Sequence, residues 1–144
     1  MVYDLDKPLD RKRYKARANY LYQKRGVVIL EEKSKRSLAQ NAYLHVLLGI
    51  LAIDQGEKLK YVKEIYYKRL VNPDIFIIQK NDKILGEVEL LRSSTELTKE
   101  EMSRSIEKLR NWASIELGCY LPSADEKSLI KEAEMEIERH RSYL

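Results

Sequence analysis

The segment KSKRSLAQNAYLH, residues 33–45, gathers the residue types best suited to gripping a polyanion. Lys33, Lys35 and Arg36 stand just ahead of a leucine-rich stretch, and Ser37 and Gln40 have the S-x-x-Q spacing of a helix capping box. A helix start exposes unpaired N–H groups and a partial positive charge, so cations placed there converge with backbone donors on a phosphate. Ser37, Asn41 and His45 recur every four residues with Gln40 beside them, and amides at such positions can donate to phosphate oxygens or base edges. The same residues equally suit a structural role, with Ser37 and Gln40 capping and Asn41 and His45 satisfying buried backbone groups. A second polar element, LRSS at 91–94, offers Arg92 and two hydroxyls, or is simply a strand-to-helix turn.

Catalytic constellations are sparse. His45 and His140 are the only histidines, and neither a GxxxxGK[ST] nor a GxGxxG phosphate loop occurs. Cys119, the single cysteine, lies in GCYLP after a helix end and reads as a small apolar plug; one cysteine also precludes an intrachain disulfide and fits a reducing compartment. A two-metal nuclease needs several acids converging beside apolar strands. The acids in strand-like segments are Glu31, Glu32, Glu87 and Glu89; the first two point apart, and Glu87 and Glu89 alternate toward solvent. The expectation is a protein without catalysis, metal or cofactor.

Charge is polarised along the chain. Residues 1–80 carry 17 Lys+Arg against 9 Asp+Glu, whereas residues 81–144 carry 10 against 14. That suits a basic N-terminal face for a polyanion and an acidic remainder facing solvent or a partner. Ten of the twelve aromatic residues are Tyr, several set among cations in YKARANYLYQKR and YVKEIYYKR. Bases can stack on such rings while cations meet phosphates, and the same pattern also serves helices that rim a core. The polar start MVYDLDKPLD reads as no leader peptide, and the longest apolar run, Val46 to Ile53, is too short to span a bilayer, so a cytoplasmic protein is expected.

The elements that must position these residues form one α+β domain, mainly helical, over 1–144, with the order α-β-α-α-β-β-α-α and a small three-stranded antiparallel sheet. A helix is predicted over 6–25, with Pro8 in its first turn, Gly26 at its end and Tyr14, Ala18 and Leu21 facing inward. A strand is predicted over 27–32 (VVILEE), and a helix from Ser37 to Asp54 whose Leu44, Leu47, Leu48 and Leu51 face the core. A helix over 57–70 buries Leu59, Val62, Tyr66 and Leu70 and stops at the Asn-Pro pair 72–73. Strands over 75–79 and 84–91 make a hairpin through Asn81 and Asp82. Thr98 with Glu101 caps a helix to Leu117, ended by Gly118, with Met102, Ile106, Leu109, Trp112 and Ala113 inward. Ser123 with Glu126 caps a last helix to about Tyr143, whose thin stripe of Leu129, Ile130, Ala133 and Ile137 needs something to pack on.

The pattern RSL-x-QN-x-x-L, here Arg36, Ser37, Leu38, Gln40, Asn41 and Leu44, resembles the signature of the NinB family, the lambda Orf type of phage recombination protein. The segment RSSTELTKEEMSRSIEKLRNWASIELGCYLP is similar to the family's later amphipathic helix, so the likeness covers residues 25–122 and leaves the C-terminal helix, about 123–143, outside it. The resemblance implies a non-enzymatic recombination mediator of phage or prophage type in a bacterial cytoplasm. It implies a homodimer that holds single-stranded DNA, meets the host single-strand-binding protein, and helps load a recombinase or annealing protein. In that reading Lys33, Lys35, Arg36, Ser37, Gln40, Asn41 and Arg92 contact the strand. Two alternatives stand beside it: a small Mg-dependent DNA-processing nuclease, and a protein-only adaptor of the phage replication and recombination machinery.

Overall fold

The computed structural model describes residues 2–32 and 35–144, without the side chains of residues 35–37. The chain divides into two compact units, Met1–Lys33 and Ser34–Leu144.

In the first unit, helix α1 (Pro8–Lys24) opens on Pro8, whose missing N–H costs nothing in a first turn. It ends on Arg25, not on the expected Gly26: Arg25 takes the left-handed conformation at φ 56°, and the Gly26 N–H donates to the Leu21 carbonyl at 3.2 Å. No residue of α1 is buried. Tyr14 and Leu21 are half-buried as the inward stripe requires, Tyr14 meeting the edge of Tyr3 at 5.9 Å, but Ala18 is exposed. Residues 27–32 form no strand, which corrects the expected third strand and the element order built on it. The physical reason is that β-propensity needs a ladder partner, and the described part of this unit contains no other strand. Val27, Val28, Ile29 and Leu30 are all exposed.

The second unit is built around α2 (Lys35–Gln55). Its Leu44, Leu47, Leu48 and Leu51 are almost wholly buried, as their spacing predicts. Gly56, left-handed at φ 66°, follows the helix. Helix α3 (Leu59–Tyr61) continues directly into a π-helix, Val62–Val71. The wider turn, with i to i+5 bonding, moves the inward stripe from period four to period five. Val62, Tyr67 and Asn72 are fully buried in consequence, while Tyr66 is half-buried and Leu70 exposed.

The short helix α4 (Pro73–Phe76) occupies the start of the expected strand and delays pairing, so β1 is Ile77–Asp82 and β2 is Gly86–Leu91. They pair antiparallel, Ile77 opposite Leu91 and Asp82 opposite Gly86, and make a two-stranded sheet. The turn falls over 83–85, beginning two residues later than predicted; Asp82 Oδ1 accepts from the N–H groups of Ile84 and Leu85 at 2.9 Å each. Helix α5 (Lys99–Leu117) has the predicted reciprocal box: Glu101 N–H donates to Thr98 Oγ1 at 3.2 Å and Thr98 N–H to Glu101 Oε1 at 3.1 Å. It buries Met102, Ser105, Ile106, Leu109 and Ala113 against α2 and the π-helix, with Trp112 at the rim.

Helix α6 (Lys127–Arg139) is shorter than predicted and yields to a 3-10 turn, Arg141–Tyr143. Ser123 and Glu126 are bonded at the turn before it, Ser123 N–H donating to Glu126 Oε1 at 3.0 Å, without forming the predicted reciprocal cap. Its thin stripe packs on α2 of its own chain. Gly49 makes this possible, because a Cβ there would fall 2.7 Å from Ile137 Cγ1.

Candidate nucleic-acid interface

The residues that sequence spacing gathers at the start of α2 meet different fates. Lys33 lies outside the described residues, as do the side chains of Lys35, Arg36 and Ser37; the backbone of residues 35–37 is helical, and the first turn of α2 contains no acidic residue. Gln40 spans to α5, donating from Nε2 to Ser103 Oγ at 3.1 Å, so its amide ties two helices together. Asn41 is half-buried, and its Oδ1 is enclosed with no hydrogen-bond partner among the described residues. His45 is exposed on α2; partial burial of its ring, then the nearby Lys63, hold its pKa below the ordinary value, so it supplies no cation at neutral pH.

Arg92, at the exit of β2, is committed internally. Its Nη1 donates to the Ile75 carbonyl at 3.1 Å and to Glu101 Oε2 at 3.0 Å, and Nη2 donates to the Glu96 carbonyl at 3.3 Å. The hydrogen bond from Arg92, with that from the Thr98 N–H, holds the Glu101 carboxyl down at about 2. Arg92 thereby fastens the hairpin exit to the capping box of α5. It is a positioning group in this fold, with three of its donor directions already filled.

The two tyrosine-and-cation clusters look alike in sequence and separate in space. In YVKEIYYKR, Tyr66 packs between Tyr61 at 5.4 Å and Trp112 at 5.7 Å. Tyr67 is fully buried, its hydroxyl 2.7 Å from Ser105 Oγ, and burial pushes its pKa to about 12. Lys68 is buried over the Phe76 ring at 5.3 Å and donates to the Arg92 carbonyl at 2.8 Å. That cluster is core and rim.

The cluster in α1 is the opposite. Tyr20 and Tyr22 are 54% and 84% exposed, and the helix holds six Lys+Arg against Asp10 alone. Arg13 lies 3.9 Å from Asp10, and among the described residues no carboxylate pairs with Lys12, Lys15, Arg17 or Lys24. The sequence signal was present in the scarcity of apolar residues between Pro8 and Lys24: with only a Tyr14–Leu21 stripe to bury, most of the helix surface has to remain in solvent.

Groups that could support chemistry are dispersed. Cys119 is buried, and burial followed by the neighbouring Asp54 raises its thiol to about 11, so it is not a thiolate at neutral pH. Glu87 and Glu89 are exposed on β2, Glu89 facing Arg69 at 3.7 Å. Among the described residues, no group of three His, Cys, Asp or Glu is placed to hold a metal ion, and no helix is long and apolar enough to cross a membrane. No protein-family model, curated protein or solved structure matches the chain.

Proposed function

We propose that the chain is a single-stranded-DNA-binding protein that acts without catalysis, as a recombination mediator of the NinB type. One observation carries this reading: α1 buries no residue, yet it keeps six cations and two exposed tyrosines in solvent. A helix with so little to bury contributes little to a core, and its surface is complementary to a phosphate chain with bases that stack. Lys35 and Arg36, at the acid-free start of α2, are proposed as a further phosphate contact. Binding of this kind depends on salt and tolerates any sequence.

Fluorescence anisotropy of labelled oligo-dT at graded salt tests the reading. The expected result is an affinity that falls steeply as salt rises, with little difference between oligonucleotide sequences. The double variant Lys35→Ala, Arg36→Ala is expected to bind more weakly with a shallower salt slope. Binding absent at low salt would overturn the proposal. Incubating labelled single-stranded and branched DNA with Mg²⁺ addresses the nuclease alternative, since the proposal expects the DNA to stay intact.

A further inference from the structure

Within α1 the cations do not surround the helix evenly. Arg13, Arg17, Tyr20 and Lys24 fall at i, i+4, i+7 and i+11, a spacing that keeps all four on one face. The stripe is about 16 Å long at 1.5 Å per residue. The half-buried Tyr14 and Leu21 lie to one side of it, and Lys15 lies on the far side of the helix.

The stripe has internal order. Arg17 Cζ sits 5.4 Å from the centre of the Tyr20 ring and Lys24 Nζ sits 5.9 Å from it, so one exposed ring engages a cation from each neighbouring turn. Such contacts bias long side chains that would otherwise sample many rotamers. Cations already held in place lose less entropy when a phosphate arrives. No core packing explains the arrangement, because nothing in α1 is buried.

Resting on the reading of the chain as a single-strand binder, we infer that this face, and not α1 as a whole, is the strand-tracking surface. Arg13, Arg17 and Lys24 meet successive phosphates, and Tyr20 is the positioning residue that holds two of them. The face takes single-stranded nucleic acid irrespective of base sequence. An anionic membrane would attract the same charges, but a helix that lies in a membrane needs a broad apolar face opposite its cations, which α1 lacks.

The test compares equal charge changes on different faces of the full-length chain. One variant carries Arg17→Gln and Lys24→Gln; the other carries Lys12→Gln and Lys15→Gln. Circular dichroism verifies that α1 stays helical in both. With oligo-dT the first is expected to lose affinity on the order of tenfold and to flatten the log–log salt slope by about 1.4, or 0.7 for each phosphate contact, while the second changes far less. Tyr20→Leu is expected to weaken binding, and Tyr20→Phe, which keeps the ring, to restore it. Equal losses in the two charge variants would show that net charge alone acts and would overturn the inference, as would no loss in either; the single-strand reading would survive both results. Wild-type protein that captured anionic phosphatidylserine vesicles but not oligo-dT would overturn both.

Discussion

Arg92 shows how a residue type can mislead until its partners are known. In sequence it is a cation beside two hydroxyls, the composition of a phosphate contact. In the fold its guanidinium ties Ile75, Glu96 and Glu101 together. Arg92→Ala is therefore expected to lower stability by about 2 kcal/mol, the scale of lost hydrogen bonds to charged groups, while oligo-dT affinity stays within about twofold of wild type. Urea denaturation and anisotropy on the same preparation check both halves, and a large affinity loss at unchanged stability would return Arg92 to the binding surface. Its partner Glu101 makes a pH prediction. The folded carboxyl sits at about 2, below the ordinary 4.5, so its stabilising effect is complete above 4.5 and is lost as pH falls toward 2. Glu101→Gln should narrow the difference in urea midpoint between neutral pH and pH 3, because the variant has no carboxylate there to protonate. The same lesson holds for tyrosine: Tyr20 and Tyr67 stand in equally basic surroundings in sequence, and only packing separates an exposed ring from a buried one.

At the scale of elements, what could be read from the sequence was what depends on local chemistry. The leucine stripe of α2 and the Thr98–Glu101 box of α5 follow from spacing and capping alone, and both are present. What could not be read depends on distant partners. VVILEE has every local property of a strand and lacks a neighbour to pair with. The π-helix is invisible to a test based on period 3.6, which selects Tyr66 and Leu70 where period five buries Tyr67 and Asn72. Asn72 lends the π-helix support no spacing rule would reveal, since its Nδ2 donates to the carbonyls of Tyr67 at 3.1 Å and Ser105 at 3.2 Å. Packing of α6 on α2 likewise turns on the absence of one side chain. Gly49→Ala would gain about 1 kcal/mol of helix propensity. It would also drive a methyl against Ile137, and overpacking costs about 1–3 kcal/mol, so net destabilisation is expected. In an Ile137→Ala background the clash disappears and the same substitution should stabilise. A double-mutant cycle by chemical denaturation reads the reversal of sign, and additive effects would mean that α6 does not rest on Gly49.

Across the whole molecule, the core and the proposed strand-tracking face of α1 reside in different units. The core cluster, from Leu44 to Leu121, lies entirely within Ser34–Leu144. Met1–Lys33 contributes a helix with no buried residue and the face argued above to track a strand. Charge leans toward the first unit: residues 1–33 carry 9 Lys+Arg against 5 Asp+Glu, and residues 34–144 carry 18 against 18. A fold stabilised by burial should be little affected by removing a helix with no fully buried residue. A chain beginning at Ser34 is therefore expected to keep the cooperative thermal transition of the full-length protein to within a few degrees, and to keep its near-ultraviolet circular dichroism from Trp112 and the packed tyrosines. Its oligo-dT affinity should fall by more than that of the Arg17→Gln, Lys24→Gln variant, because Arg13, Lys33 and the remaining cations of α1 leave with the helix. A shortened chain that melted much earlier would show that the first unit supports the second and that α1 is a structural helix. Unchanged affinity would place the phosphate contacts in the second unit, with Lys35 and Arg36 as the first residues to replace.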